Sequence, residues 1–157
     1  MDRKELTTPL GFFNYALSYR AAADKLRICK LRATHPHAPV LFIYYHSVEL
    51  YFKAFLRAHG LSVAFLQNDV GHDFKKLERM CVDRGLALDD EAREVLAIMA
   101  APGAWASTRY LEIGFKQSPR ISILSRLCQR IERTVGASLS KKGIHIRRIR
   151  SGVRVTD

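Results

Sequence analysis

The stretch from Pro39 to Gly60, PVLFIYYHSVELYFKAFLRAHG, limits what this chain can fold into more than any other. Pro39 suits a first helical turn, where its missing N–H costs nothing, and Gly60 stands where a helix commonly stops. Between them Leu41, Tyr45, Val48, Phe52 and Phe55 recur at steps of four, three, four and three. That is one apolar face of an α-helix. Tyr44, Tyr51 and Leu56 widen it, so the spacing predicts a helix buried on more than one side.

Three polar side chains interrupt this helix. His46, Glu49 and Lys53 fall on one stripe, and Glu49 precedes Lys53 by four residues, the favoured ion-pair order. Such a pair reads in two ways. It is a solvated, helix-supporting pair, or a semi-buried carboxylate that lines a pocket or a subunit contact with a nearby histidine.

Around this helix the chain reads as further helices. Phe12, Ala16, Tyr19, Ala23 and Leu26 predict an amphipathic helix over 9–31, with Arg20, Lys25, Arg27 and Lys30 on its other faces. Thr34-His35-Pro36-His37-Ala38-Pro39 is a loop, because its prolines bias their predecessors away from helix. Its two histidines have no carboxylate or cysteine beside them, so no metal site is expected. Ser62 suits a cap for a short turn through Leu66. After Gly71, His72 and Asp73 open a helix carrying Phe74, Leu77 and Cys81, ended by Gly85. Asp73 reads as a first-turn carboxylate facing the positive end of the helix dipole. Asp89 and Asp90 suit the start of the next helix, with Val95, Ile98 and Met99 inward, and Pro102-Gly103 ends it. Trp105, Tyr110 and Phe115 give an irregular segment enough apolar content to pack on the bundle. Ser118-Pro119 is a cap-and-first-turn signal for a last helix bearing Ile121, Leu124, Cys128, Ile131 and Val135. The expected architecture is all-α, an up-and-down bundle of about five helices over 1–140, with a flexible basic tail over 141–157. A β-hairpin from Ile144 to Val155 is the alternative for that tail.

Charge matters through its placement. The net charge is +11, and Lys141, Lys142, Arg147, Arg148, Arg150 and Arg154 crowd the tail. Asp157 is the one acidic residue there, and without that segment the chain still has 20 basic and 14 acidic side chains, a net of +6. Arg126, Arg130 and Arg133 form a basic stripe on the last helix, either a solvated face or a phosphate-tracking one. An acidic partner such as nucleic acid is therefore expected at the stripe and at Lys141, Lys142, Arg147, Arg148 and Arg150. No apolar run reaches bilayer length, and the N-terminus lacks secretory order. Cys29, Cys81 and Cys128 are scattered, each on or near an apolar helix face, without Cys-x-x-Cys. They suggest a reducing, cytoplasmic setting and neither zinc nor disulfides.

The run YYHSVELYFKAFLRAHG followed by GHDFKKL resembles the HEPN (higher eukaryote and prokaryote nucleotide-binding) domain family. The residues that carry the resemblance are Glu49, Leu50, Lys53, Ala54 and Leu56, then Gly60, then His72, Asp73 and Phe74. The general layout extends from Tyr15 to about Val135. The resemblance implies a helical bundle, a homodimer, and a link to RNA or nucleotides. Its RNA-cleaving members carry Arg, four to six residues, then His, and the pair meets at the dimer seam. Here the only such spacing is Arg32 to His37, in the Pro-containing loop, where about two are expected by chance. The position that matches is Arg109, and no histidine follows it at that distance.

The expectation is therefore a non-catalytic, HEPN-like dimeric domain that binds RNA, a nucleotide or a protein partner without a cofactor. His46, Glu49, Lys53, His72, Asp73, Arg109 and Tyr110 are its candidate pocket or dimer-seam residues, and Arg109 either binds phosphate or pairs with Glu49. The alternatives are a divergent, toxin-like, metal-independent endoribonuclease with a non-standard His/Arg pair, and a purely structural assembly module.

Overall fold

A computed structural model describes residues 6–30, 32–111 and 117–146. It is all-helical, with no strand among the described residues. Five helices carry the bundle: α1 (Pro9–Leu26), α2 (Ala38–Ala58), α4 (Phe74–Val82), α5 (Asp90–Met99) and α7 (Ile121–Lys141). Two short ones, α3 (Val63–Phe65) and α6 (Ala104–Ser107), link them, and α3 continues into a π-helical turn over Leu66–Val70.

Local chemistry explains most boundaries. Thr8 caps α1 by accepting from the Gly11 N–H at 3.0 Å, and Pro9 opens its first turn. Asp73 caps α4 and Asp89 caps α5, through the N–H groups of Lys76 and Ala92. α2 is stopped by Gly60, two residues past its last turn, at φ +88°, a left-handed position that costs a glycine little. The Leu61 N–H then reaches back to the Leu56 carbonyl, which closes the last turn.

Some boundaries differ from expectation. α1 stops at Leu26, and exposed Cys29 lies beyond it rather than on an apolar face. Ser118 does not cap α7, which starts at Ile121 behind a buried Pro119. α7 also runs past Val135 to Lys141, and Ile144 and Ile146 pack back onto the core, with Ile146 near Gly136. Ile144 and Ile146, at the start of the tail, have an apolar surface to bury against. The rest of the tail, with Arg147, Arg148 and Arg150, lies outside the described residues.

α2 is the axis, packed against α1, α4 and α7. Its run from Tyr44 to Leu56 is buried except at His46, which is half-buried. Contacts with α1 descend as α2 ascends: Tyr44 with Asp24, Ser47 with the Ala16 carbonyl, Tyr51 with Phe13, Arg57 with the Thr7 carbonyl. The two helices are antiparallel. Contacts with α4 climb in the same order, Tyr45 with Phe74 and Phe52 with Cys81. The chain between Gly60 and Asp73 doubles back along α2, and this return brings His72 beside Glu49.

A polar junction fastens α1, α2 and α7. Asp24 accepts from Tyr44, Ser125 and Arg20, while Arg20 also meets Glu132, which accepts from Tyr51. Arg20 is therefore part of an internal network rather than a solvated face. Burial, with the Asp24 carboxylate as acceptor, pushes the Tyr44 phenol up, so it stays a proton donor.

Candidate functional site

Glu49 and Lys53 form a buried pair, not a solvated one. Their side chains are 2% and 6% exposed, and Lys53 Nζ lies 2.6 Å from Glu49 Oε1. The helical face that carries them is covered by the 71–73 turn. Gly71, at φ +57°, ends the π-helical turn and aims the next residue inward. His72 Nδ1 meets Glu49 Oε2 at 2.7 Å, while its side chain keeps 46% exposure. His46 Nδ1 stands 3.9 Å from the same oxygen, an electrostatic neighbour too far for a hydrogen bond. Burial alone would push the Glu49 carboxyl up. The His46 and His72 imidazoles and the Lys53 ammonium reverse that and hold it at about 2.

Aromatic rings join this core to the surface. The His72 ring stacks on Trp105 with centroids 3.9 Å apart and planes 16° from parallel. The Arg109 guanidinium lies over the same indole at 4.6 Å, over Tyr110 at 5.4 Å and over Phe42 at 5.8 Å. Phe42 is in turn stacked with His46 at 6.1 Å, and Tyr19 meets His46 edge-on at 4.6 Å. Among the described residues no carboxylate pairs with Arg109, and it does not reach Glu49, whose oxygens Lys53 and His72 occupy. Two imidazoles share aromatic partners with Arg109: His72 shares Trp105 with it, and His46 shares Phe42.

Six of the seven central candidates come together here: His46, Glu49, Lys53, His72, Arg109 and Tyr110. Asp73 does not join them, because its carboxylate is spent on capping α4. In the sequence Trp105 reads as packing, and the apolar steps of α2 skip Phe42. The spacing held a signal for both, since Trp105 precedes Arg109 by four residues and Phe42 precedes His46 by four.

A cleft of about 580 Å³ adjoins Arg109, between residues 34–38 and 107–111. Its polar lining includes His35, His37, Arg109 and Tyr110, and no Asp or Glu lines it among the described residues. No cluster of His, Cys, Asp or Glu among those residues is arranged to hold a metal. The stripe on α7 is less free than its sequence implies. Arg130 pairs with Asp89 and Glu91, Arg126 approaches Glu91 at 3.4 Å, and Arg133 bonds the Gln129 carbonyl of its own helix. Lys141 and Lys142 are exposed at the end of α7. No described helix is long and apolar enough to cross a membrane.

No family model matches the chain, and no curated protein or solved structure is significantly similar to it.

Proposed function

We propose that this chain is a HEPN-like helical domain that binds RNA, or a nucleotide, on the face formed by Trp105, Arg109 and Tyr110. The observation that carries the reading is Arg109. It is an exposed cation among aromatic rings, with no carboxylate partner among the described residues. Single-stranded nucleic acid offers what such a group lacks, a phosphate for the guanidinium and a π-face for the rings. The adjoining cleft, free of acidic side chains among the described residues, extends the favourable potential. The exposed Lys141 and Lys142 and the basic tail add non-specific attraction. The α7 stripe contributes less, because its arginines are engaged. The HEPN resemblance adds a homodimer, which the mass in solution tests.

Fluorescence anisotropy with a labelled single-stranded RNA tests the binding. Affinity is expected to fall steeply between 50 and 200 mM salt. Tyr110→Ala, which removes the exposed ring of this face, is expected to weaken it by about 5- to 150-fold, the range for loss of one stacked base. Arg109→Ala should flatten the salt slope by about one phosphate contact. Wild-type affinity in both variants would sink the reading.

A second reading, RNA cleavage without a metal, is favoured by one observation: two imidazoles reach the Arg109 cluster through shared aromatic rings.

A further inference from the structure

We propose that the cleft between residues 34–38 and 107–111 is a binding site for a small organic carboxylate with an apolar body, held by the Arg109 guanidinium and the Tyr45 hydroxyl. The site stands on its own geometry. One consequence, that its occupancy displaces RNA, rests on the reading that RNA uses Arg109.

Tyr45 carries the inference. It is 1% exposed and lines the cleft from α2. Its ring meets Phe74 edge-on, but its hydroxyl has no hydrogen-bond partner among the described residues. Nor is that hydroxyl one of the side-chain atoms sealed off without a partner, so it opens on the cleft. Buried phenols ordinarily find an acceptor, because an unmade bond in the interior is costly. The other two core tyrosines of α2 obey this: Tyr44 donates to Asp24 and Tyr51 to Glu132. The Ser107 and Thr108 hydroxyls, which also line the cleft, are spent on the Ala104 and Trp105 carbonyls. Burial pushes the Tyr45 phenol up to about 12, so it keeps its proton and calls for an acceptor.

The rest of the lining says what kind of acceptor. Arg109 is its one permanent cation, and no Asp or Glu faces it, among the described residues. One cation matches one negative charge, and a planar guanidinium fits the two oxygens of a carboxylate. The start of α2 adds to the attraction. Its N-cap, His37, lines the cleft without a side-chain cap bond, and no acid occupies the first turn, so the positive end of the helix is uncompensated. Pro36, Leu41 and Leu111 supply apolar surface, which a hydrocarbon body covers and a sugar-phosphate chain does not. The volume, about 580 Å³, lies in the range of small-molecule sites.

Isothermal titration calorimetry of the full chain with benzoate, phenylacetate and hexanoate tests the site. At least one should bind once per chain, with benzamide and inorganic phosphate weaker by about tenfold or more. Tyr45→Phe and Arg109→Gln should each weaken the best of the three by about 10- to 150-fold, the range for one hydrogen bond to a charged group. The urea midpoint of Tyr45→Phe should hold or rise, because that change removes no hydrogen bond, whereas a structural role for the hydroxyl would lower it. In the anisotropy assay a saturating amount of the acid should weaken RNA binding by wild type. None of the three acids bound, or binding untouched by both substitutions, overturns the site. A lowered urea midpoint in Tyr45→Phe overturns the role given to its hydroxyl. Phosphate bound more tightly than the acids overturns the ligand class, and a dipeptide ending in phenylalanine bound more tightly hands the site to a chain terminus. RNA affinity unchanged at saturating acid overturns the displacement and leaves the site. RNA not bound by wild type at all removes the RNA reading, while the titrations still decide the cleft.

Discussion

Truncating Glu49 to an uncharged amide leaves the Lys53 ammonium buried without its counter-charge. Breaking one side of such a pair costs about 3 to 5 kcal/mol, so Glu49→Gln should unfold at a markedly lower urea concentration than wild type. Replacing both members is different. Glu49→Gln with Lys53→Met removes the stranded charge and keeps the side-chain volume, and it should recover about half of the loss. Urea midpoints for the two single variants and the double variant check this. Additive losses would mean that the pair is not coupled as its 2.6 Å contact implies. Acid provides a second check. Glu49 is held at about 2, against 4.5 for a free glutamate, so its folded form binds a proton less readily than the unfolded chain. Its contribution, about 3 kcal/mol, is fully present above pH 4.5 and drains away as pH falls from there toward 2. A stability profile in urea at stepped pH should have that slope, and Glu49→Gln should flatten it.

At the scale of elements, two kinds of polar contact do different jobs. Asp73, Asp89 and Thr8 satisfy N–H groups at helix starts. Asp73→Ala should cost about 1 kcal/mol, the usual worth of a cap, and leave RNA affinity unchanged. A change in affinity with stability held would restore Asp73 to the binding face. Asp24 instead ties three helices, through Tyr44 of α2, Ser125 of α7 and Arg20 of its own helix. Asp24→Ala leaves those donors without their acceptor, and about 2 to 4 kcal/mol should be lost. Tyr44→Phe, which removes one donor and keeps the ring, should cost about 1 kcal/mol. Thermal or urea unfolding of both variants measures the difference.

For the whole molecule, a net charge of +11 promises attraction to polyanions but does not say where. The fold distributes it unevenly. On α7, Arg126 and Arg130 are answered by Asp89 and Glu91 at the start of α5. On the Trp105 face, Arg109 has no such answer among the described residues. Arg126→Ala with Arg130→Ala should therefore change RNA affinity by less than about threefold, well short of what Arg109→Ala does. Equal losses from the two faces in one anisotropy series would return the binding surface to α7.

Helices and several of their starts were legible because they follow from neighbours three or four residues apart: the apolar steps of α2, Ser62 before Val63, Asp73 before Phe74, Asp89 before Asp90. The identity of six clustered site residues was legible for the same reason, as polar interruptions of apolar faces or as part of a recognisable run. Their chemistry was not. Whether Glu49 and Lys53 meet water or each other in a closed interior depends on the 60–73 return, which no local spacing encodes. Which imidazoles share a ring with Arg109 depends on the packing of Trp105 and Phe42, which belong to helices far apart in the chain. By itself the sequence determined an all-helical bundle wound about α2, because helical periodicity is a short-range property. Only the tertiary structure decided that His72 is oriented by Glu49, that Arg109 stands without a carboxylate partner among the described residues and that the α7 arginines are answered, because burial and pairing across helices are set by packing.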